Sequence, residues 1–223
     1  MDFAKLPTRF FVTGTDTEVG KTYCSALIVK ALIHSGHSVF PFKPVAAGVE
    51  PSLVVNGKAV NEDAYHLWLA CNKVYSLDQI NPILYQQPIA PHIAAELENK
   101  VLDASLLSLL SSKVPGAEYT LIEGAGGWHL PLNNEKLMSE WVVNEKLPVL
   151  LVVGIKLGCL NHALLTAESI INSGGAVIGW VANFIDGETD IGRKNVEYLQ
   201  TQLTKRFNIS KLFEIQKNQR TLL

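Results

Sequence analysis

The stretch FFVTGTDTEVGKTYCSALIVKAL, Phe10 to Leu32, decides how this chain is read. An apolar run enters a glycine-bounded loop, and a helical pattern leaves it. The centre runs Gly14-Thr-Asp-Thr-Glu-Val-Gly20-Lys21-Thr22, with five residues between the first glycine and Gly-Lys-Thr. A phosphate-binding loop ordinarily has four there. Gly14 and Gly20 let the backbone turn tightly and approach oxygen atoms. A helix opening at Lys21 offers unpaired N–H groups and a positive dipole end to phosphate. Lys21 would reach the β- and γ-phosphates of a nucleoside triphosphate, and the Thr22 hydroxyl would ligate Mg²⁺. Asp16 and Glu18 inside the loop would repel a triphosphate unless a cation lies nearby. They are therefore expected to face a metal or an amine.

Outward from this loop, short apolar runs alternate with helical patterns. Strands are expected at Arg9–Thr13, Ser38–Phe42, Glu118–Glu123, Pro148–Val153 and Ala176–Ala182. Helices are expected at Lys21–Ser35, Glu62–Ala70, Ala104–Ser112, Lys136–Glu145, Asn161–Ser173 and Asp190–Phe207. Asn81–His92, with Pro82, Pro88 and Pro91, reads as an ordered loop. The tail after Asn208 is weakly patterned. Pro148–Val153 is continuously apolar, as in a strand covered on both faces of a parallel sheet. The alternation implies an α/β fold: an open, mostly parallel sheet of the P-loop NTPase type, helices on both faces, as one domain over residues 1–223. Ligands then belong at the carboxyl ends of the strands.

Composition narrows the function. The chain has 223 residues, 48% of them hydrophobic, and a net charge of −2. This is ample for a core and gives no electrostatic footprint for nucleic acid or an anionic membrane. The apolar runs are too short to span a bilayer, and no signal peptide is expected. Cys24, Cys71 and Cys159 are odd in number and far apart, which fits a reduced, cytoplasmic protein without a disulfide framework.

Mg²⁺ takes oxygen ligands beyond phosphate, often one or two carboxylates. Glu123 stands at the end of a strand, just before Gly124-Ala-Gly-Gly127. Asp63 stands at a helix start, where a charge favouring the helix dipole explains it equally well. Lys43 closes the second strand in FKPVAAG, Phe42–Gly48, and reads either as a surface lysine or as a partner of Lys21 in one crevice. Cys159, at a helix start, is a candidate for a lowered pKa. His92 and His162 read as structural histidines.

Together these blocks resemble the dethiobiotin synthetase family. Thr13–Thr22 carries the same five-residue spacer. Lys43–Gly48, Asn61-Glu-Asp63-Ala64, Glu123–Trp128 and Val153–Ala163 follow in the family's order, as far as about Asn183. The resemblance implies an ATP- and Mg²⁺-dependent ligase. Its substrate would be 7,8-diaminopelargonate, carboxylated by CO₂ or bicarbonate to a carbamate. A carbamic–phosphoric anhydride then closes to dethiobiotin. The lengthened loop would hold the triphosphate on one side and present Thr17 to the carbamate on the other. Lys21, Lys43 and Thr17 would be catalytic, and Thr22, Asp63 and Glu123 would hold the metal. The nucleotide would lie on Thr17, Glu18, Val19, Gly20, Lys21, Thr22, Asp63, Glu123, Gly124, Ala125, Gly126 and Asn183, the last at the base-contacting position. Lys43, Ala47 and Gly126 would meet the substrate. Leu157, Gly158, Asn161 and Tyr198 would reach it from the other subunit of a homodimer. Without the family, Asn161 reads as a helix cap.

The chain departs from the pattern at Ala47, where the family often has Ser, so only its main chain can bind. Phe184 replaces an acid that helps read the base, and the tail Phe213–Leu223 lacks the family's proline. A partition-type switch ATPase acting as a regulatory dimer is the alternative. Such proteins carry a second lysine five residues before the loop lysine, and that position here is Asp16. An amide-forming synthetase of corrinoid biosynthesis would need a further glutaminase domain.

Overall fold

Residues 6–216 are described by the computed structural model. β1, Arg9–Gly14, runs through the middle of a six-stranded sheet. Its neighbours are β7, Tyr119–Glu123, and β8, Val149–Gly154. Beyond β7 lies β2, Val39–Phe42; beyond β8 lie β9, Val177–Phe184, and β10, Lys211–Gln216. Every pairing in this sheet is parallel. All six residues of β8 are buried, as its unbroken apolar run requires. Pro41 lies within β2, and β2 is an edge strand, where a missing N–H is tolerated.

Handedness places the helices. The connection from β1 to β2 passes over β7 and carries α1, Lys21–His34, with α2, Glu62–Ala70, packed against it. The later connections step the opposite way. They carry α5 (Ala104–Ser111), α6 (Met138–Asn144), α7 (Cys159–Asn172) and α8 (Asp190–Phe207). Right-handed crossovers in opposite directions put these helices on opposite faces. Packing of α5 on α6 and of α7 on α8 agrees. The direction reverses beside β1, so the sheet's topological switch point lies at the loop that follows it. Among the described residues, no helix is long and apolar enough to cross a membrane.

Seven elements are absent from the sequence expectation. Glu50–Val55 (β4) and Lys58–Val60 (β5) form an antiparallel hairpin. Its turn is Asn56-Gly57, both with positive φ, the geometry that favours this dipeptide. The proline-rich segment is not all loop. Ile83–Tyr85 (β6) pairs in parallel with Val45–Ala47 (β3). Pro91 then opens α4, Pro91–Leu97, because a first helical residue needs no N–H. A short α3, Leu77–Ile80, is capped by Ser76 with a reciprocal Gln79 bond. The weakly patterned tail contains β10, ordered by pairing along β9; residues after 216, in the tail that departs from the family, lie outside the described residues.

Candidate nucleotide and metal site

The loop between β1 and α1 sits over the switch point. Glu18 takes the left-handed conformation at φ 59°, and Gly20 does so at φ 83°. Asp16 Oδ1 accepts the Thr17 N–H at 2.7 Å, so the acid serves the turn of its own loop. Thr17 and Glu18 are exposed on the crest, and Val19 is buried beneath it. Lys21 is 8% exposed and its Nζ donates to the Asp16 carbonyl at 3.1 Å. Burial, and next the charge of Lys43, lower the Lys21 pKa to about 8 against the opposing pull of Glu123, Asp63 and Asp16.

Lys43 leaves the end of β2 and is 2% exposed, which removes the surface-lysine reading. Its Nζ lies 2.8 Å from Glu123 Oε1 and 3.0 Å from Asp63 Oδ2. Burial pushes its pKa down, but the two carboxylates outweigh burial and the net shift is upward. Asn81 holds the lysine's main chain, donating to the Lys43 carbonyl at 2.8 Å. Asp63 reaches the cluster because Asn61 caps α2: it accepts the Ala64 N–H at 3.2 Å and donates to the Gly48 carbonyl at 2.8 Å. Asp63 is therefore more than a helix-dipole charge. Burial raises its pKa, but Lys43, the Thr22 hydroxyl and Lys21 hold it below the usual carboxylate range.

Glu123 ends β7 and is fully buried. Its Oε1 accepts from the Thr22 hydroxyl at 2.7 Å and from Lys43. Its Oε2 is buried without a hydrogen-bond partner among the described residues. Thr22 thus has one proton and two carboxylate neighbours, and the cluster holds more acceptors than donors. A hard cation would satisfy that excess, so the residues present fit Mg²⁺. No group of three or more His, Cys, Asp or Glu side chains among the described residues could hold a metal. The remaining ligands would have to be phosphate oxygens and water, as is usual for Mg²⁺.

The Gly124–Gly127 turn follows directly. A Cβ on Gly124 would stand 2.6 Å from Phe11 Cζ, and Phe11 is fixed edge-on against Trp141 at 6.3 Å. Gly124→Ala is expected to cost about 1–3 kcal/mol as overpacking. A thermal unfolding midpoint equal to that of the parent protein would contradict this. Gly126 approaches Thr17 from below: a Cβ there would lie 3.9 Å from Thr17 Oγ1. Ala125 and Ala47 are partly buried.

Asn183 is buried in β9 and its Nδ2 donates to the Val19 carbonyl at 2.8 Å. Phe184 is buried beneath the Arg193 guanidinium, 5.1 Å from its ring. Arg193 in turn pairs with Glu188 and Glu214.

The remaining site residues lie apart, at the start of α7 and on α8. Gly158, not Asn161, is the N-cap of α7, with φ 90°. Asn161 falls in the first turn and is exposed, which overturns the helix-cap reading. Leu157 is fully exposed, and Tyr198 is 46% exposed. Burial raises the Cys159 pKa, so the lowered value expected from its helix start is wrong. His162 is exposed, and His92 Nδ1 is buried without a hydrogen-bond partner among the described residues. The sequence reading missed Asn81. An asparagine before proline in an irregular segment gives no sign that it grips a strand end 38 residues earlier.

A glycine-turned loop at the switch point, a lysine and a threonine opening the next helix, and a strand-end carboxylate define a P-loop nucleoside triphosphatase-type domain. A family model described as an AAA domain matches residues 8–220. The ATP-dependent dethiobiotin synthetase BioD of Aliivibrio fischeri (strain MJ11) is 46% identical over 196 residues, 87% of this chain and 85% of that one. That of Serratia marcescens is 43% identical over 194 residues, 86% of this chain and 83% of that one. The chain belongs to the ATP-dependent dethiobiotin synthetase family. A ParA family ATPase from Chlorobium tepidum TLS superposes with TM-score 0.50 over 97% of this chain and 88% of that one. At 15% identity this likeness concerns the fold alone.

Proposed function

We propose that this chain is a carbon–nitrogen cyclo-ligase that converts 7,8-diaminopelargonate and CO₂ to dethiobiotin, with ATP and Mg²⁺, releasing ADP and phosphate. The observation that carries this reading is the convergence of Lys43, Glu123, Asp63 and Thr22 at the switch point of a chain in this family.

In this reading Lys21 and the N–H groups from Thr17 to Thr22 hold the triphosphate. Thr22, Asp63 and Glu123 hold Mg²⁺, which neutralises phosphate charge when bound. Lys43, already charged and buried, stabilises the charge that spreads over the transferring phosphoryl group and the carbamate. One amine of the substrate takes up CO₂ to form the carbamate, and a carbamate oxygen attacks the γ-phosphate. The second amine closes the ring on the mixed anhydride and phosphate leaves. Thr17 and Gly126 lie on the side of the loop that would face the carbamate. Ala47 offers only its main chain. Leu157, Gly158 and Asn161, with Tyr198, would take the substrate's tail carboxylate from a partner subunit of a homodimer, and their exposure supports that. The three cysteines are unpaired and buried, in keeping with a reducing cytoplasm.

Phosphate release from ATP is the test, with Mg²⁺ and bicarbonate, with and without the diamine, and with GTP and CTP alongside. Release is expected to require both the diamine and bicarbonate. Equal ATP hydrolysis without the diamine would sink the ligase reading and favour a switch ATPase.

A further inference from the structure

Asn183 sits where β9 meets two neighbours, opposite Gly154 of β8 and Ile215 of β10. Its carbonyl accepts from Ile155 N at 2.8 Å and Ile185 N at 2.9 Å, so its main chain cannot wander. The side-chain Nδ2 reaches the phosphate loop, 164 residues away, through the bond to the Val19 carbonyl. No cis peptide occurs among the described residues. In a trans peptide the C=O and N–H point in opposite directions. Drawing the Val19 oxygen onto Asn183 therefore turns the Gly20 N–H away from Asn183.

The fit around this bond is close. A Cβ on Gly20 would fall 2.2 Å from Asn183 Nδ2, so the amide occupies the space that only a glycine leaves. Val19 is 1% exposed, and a Cβ on Gly154 would stand 3.1 Å from its Cβ. Beside it, Glu18 holds a left-handed conformation that a residue other than glycine keeps only where the surroundings determine it. Asn183 supplies a donor in those surroundings.

We infer that Asn183 is a positioning residue that orients the Val19–Gly20 peptide toward the triphosphate, and so sets affinity for the phosphate chain whichever base follows it. This rests on the triphosphate-binding reading of the loop. It assigns the carboxamide a task different from the base contact implied by the family resemblance.

The test is calorimetric binding of ATP, GTP, CTP and inorganic tripolyphosphate, each with Mg²⁺, to the full chain and to its Asn183→Ser and Asn183→Asp variants. A lost hydrogen bond should weaken all four probes by one common factor, about tenfold for Asn183→Ser. The loss should be larger for Asn183→Asp, which sets an acceptor against the carbonyl. In steady state the KM of each nucleotide should rise by the same factor, with kcat at saturation nearly unchanged. Circular dichroism checks folding, and if the Asp variant does not fold, the Ser variant decides. A loss confined to one nucleotide with tripolyphosphate unaffected would overturn the inference in favour of base reading. Unchanged affinity for all four would overturn it outright. Failure of the parent protein itself to bind any probe would defeat the triphosphate reading, and that outcome is distinct because no variant is involved.

Discussion

Lys43→Met is expected to lower turnover by about 10²–10³, the usual effect of removing one donor aimed at developing charge. Its second effect should be on stability. The Lys43 ammonium lies within salt-bridge distance of both Glu123 and Asp63. Glu123 has no exposure to water that could replace it. Removing one partner of a buried ion pair costs about 3–5 kcal/mol, because the survivor remains charged and unpaired. The two effects separate experimentally. Turnover is read at saturating nucleotide, diamine and bicarbonate, and stability by urea unfolding in chelator. Added Mg²⁺ should return part of the lost stability to the variant, since the carboxylates would regain a cation. A variant with full turnover, or one as stable as its parent in chelator, would refute the role given to Lys43.

Glu123→Gln should be the second large effect. Gln keeps the shape and can still accept from Thr22 and Lys43, but it carries no charge. The Mg²⁺ concentration needed for half-maximal activity should rise at least as much as when a metal site loses a supporting residue, about 10–100-fold. Lys43 would be left with Asp63, whose side chain is 47% exposed. The double variant with Lys43→Met should then be more stable than Lys43→Met alone, because the unpaired charge has gone. Contacting groups of this kind couple by about 0.5–3 kcal/mol. Additive losses in the unfolding cycle would show that the two side chains do not form the unit described.

The legible part of this molecule was the part written in local pattern. The central strands announce themselves because strands covered on both faces must be apolar throughout. The loop announces itself because glycine, lysine and threonine each answer a separate geometric demand at a fixed spacing. Lys43, Asp63 and Glu123 could be placed at element ends, yet their meeting could not be read from spacing. It depends on β2 and β7 lying side by side and on Asn61 aiming α2. The hairpin of β4 and β5 was written in the chain as Asn56-Gly57 between alternating residues, and it went unread. By contrast, β10 has little pattern of its own and exists because β9 offers an edge. Asn81 and the inward bond of Asn183 depend on side chains that cross the fold, which no window along the chain contains.

The position of β1 has a consequence for how the molecule comes into being. The strand that carries the phosphate loop is made before either of its partners. Thr22 and Glu123 are separated by 101 residues, and the Val19–Asn183 bond spans 164. During synthesis the loop's strand must wait, unpaired and apolar, until β7 has emerged. Contacts this distant in sequence make for slow folding and long exposure of sticky intermediates. The site thus gains its rigidity only in the final stages of assembly. A chain halted before β7 would carry the loop's whole sequence and neither of the strands that flank it.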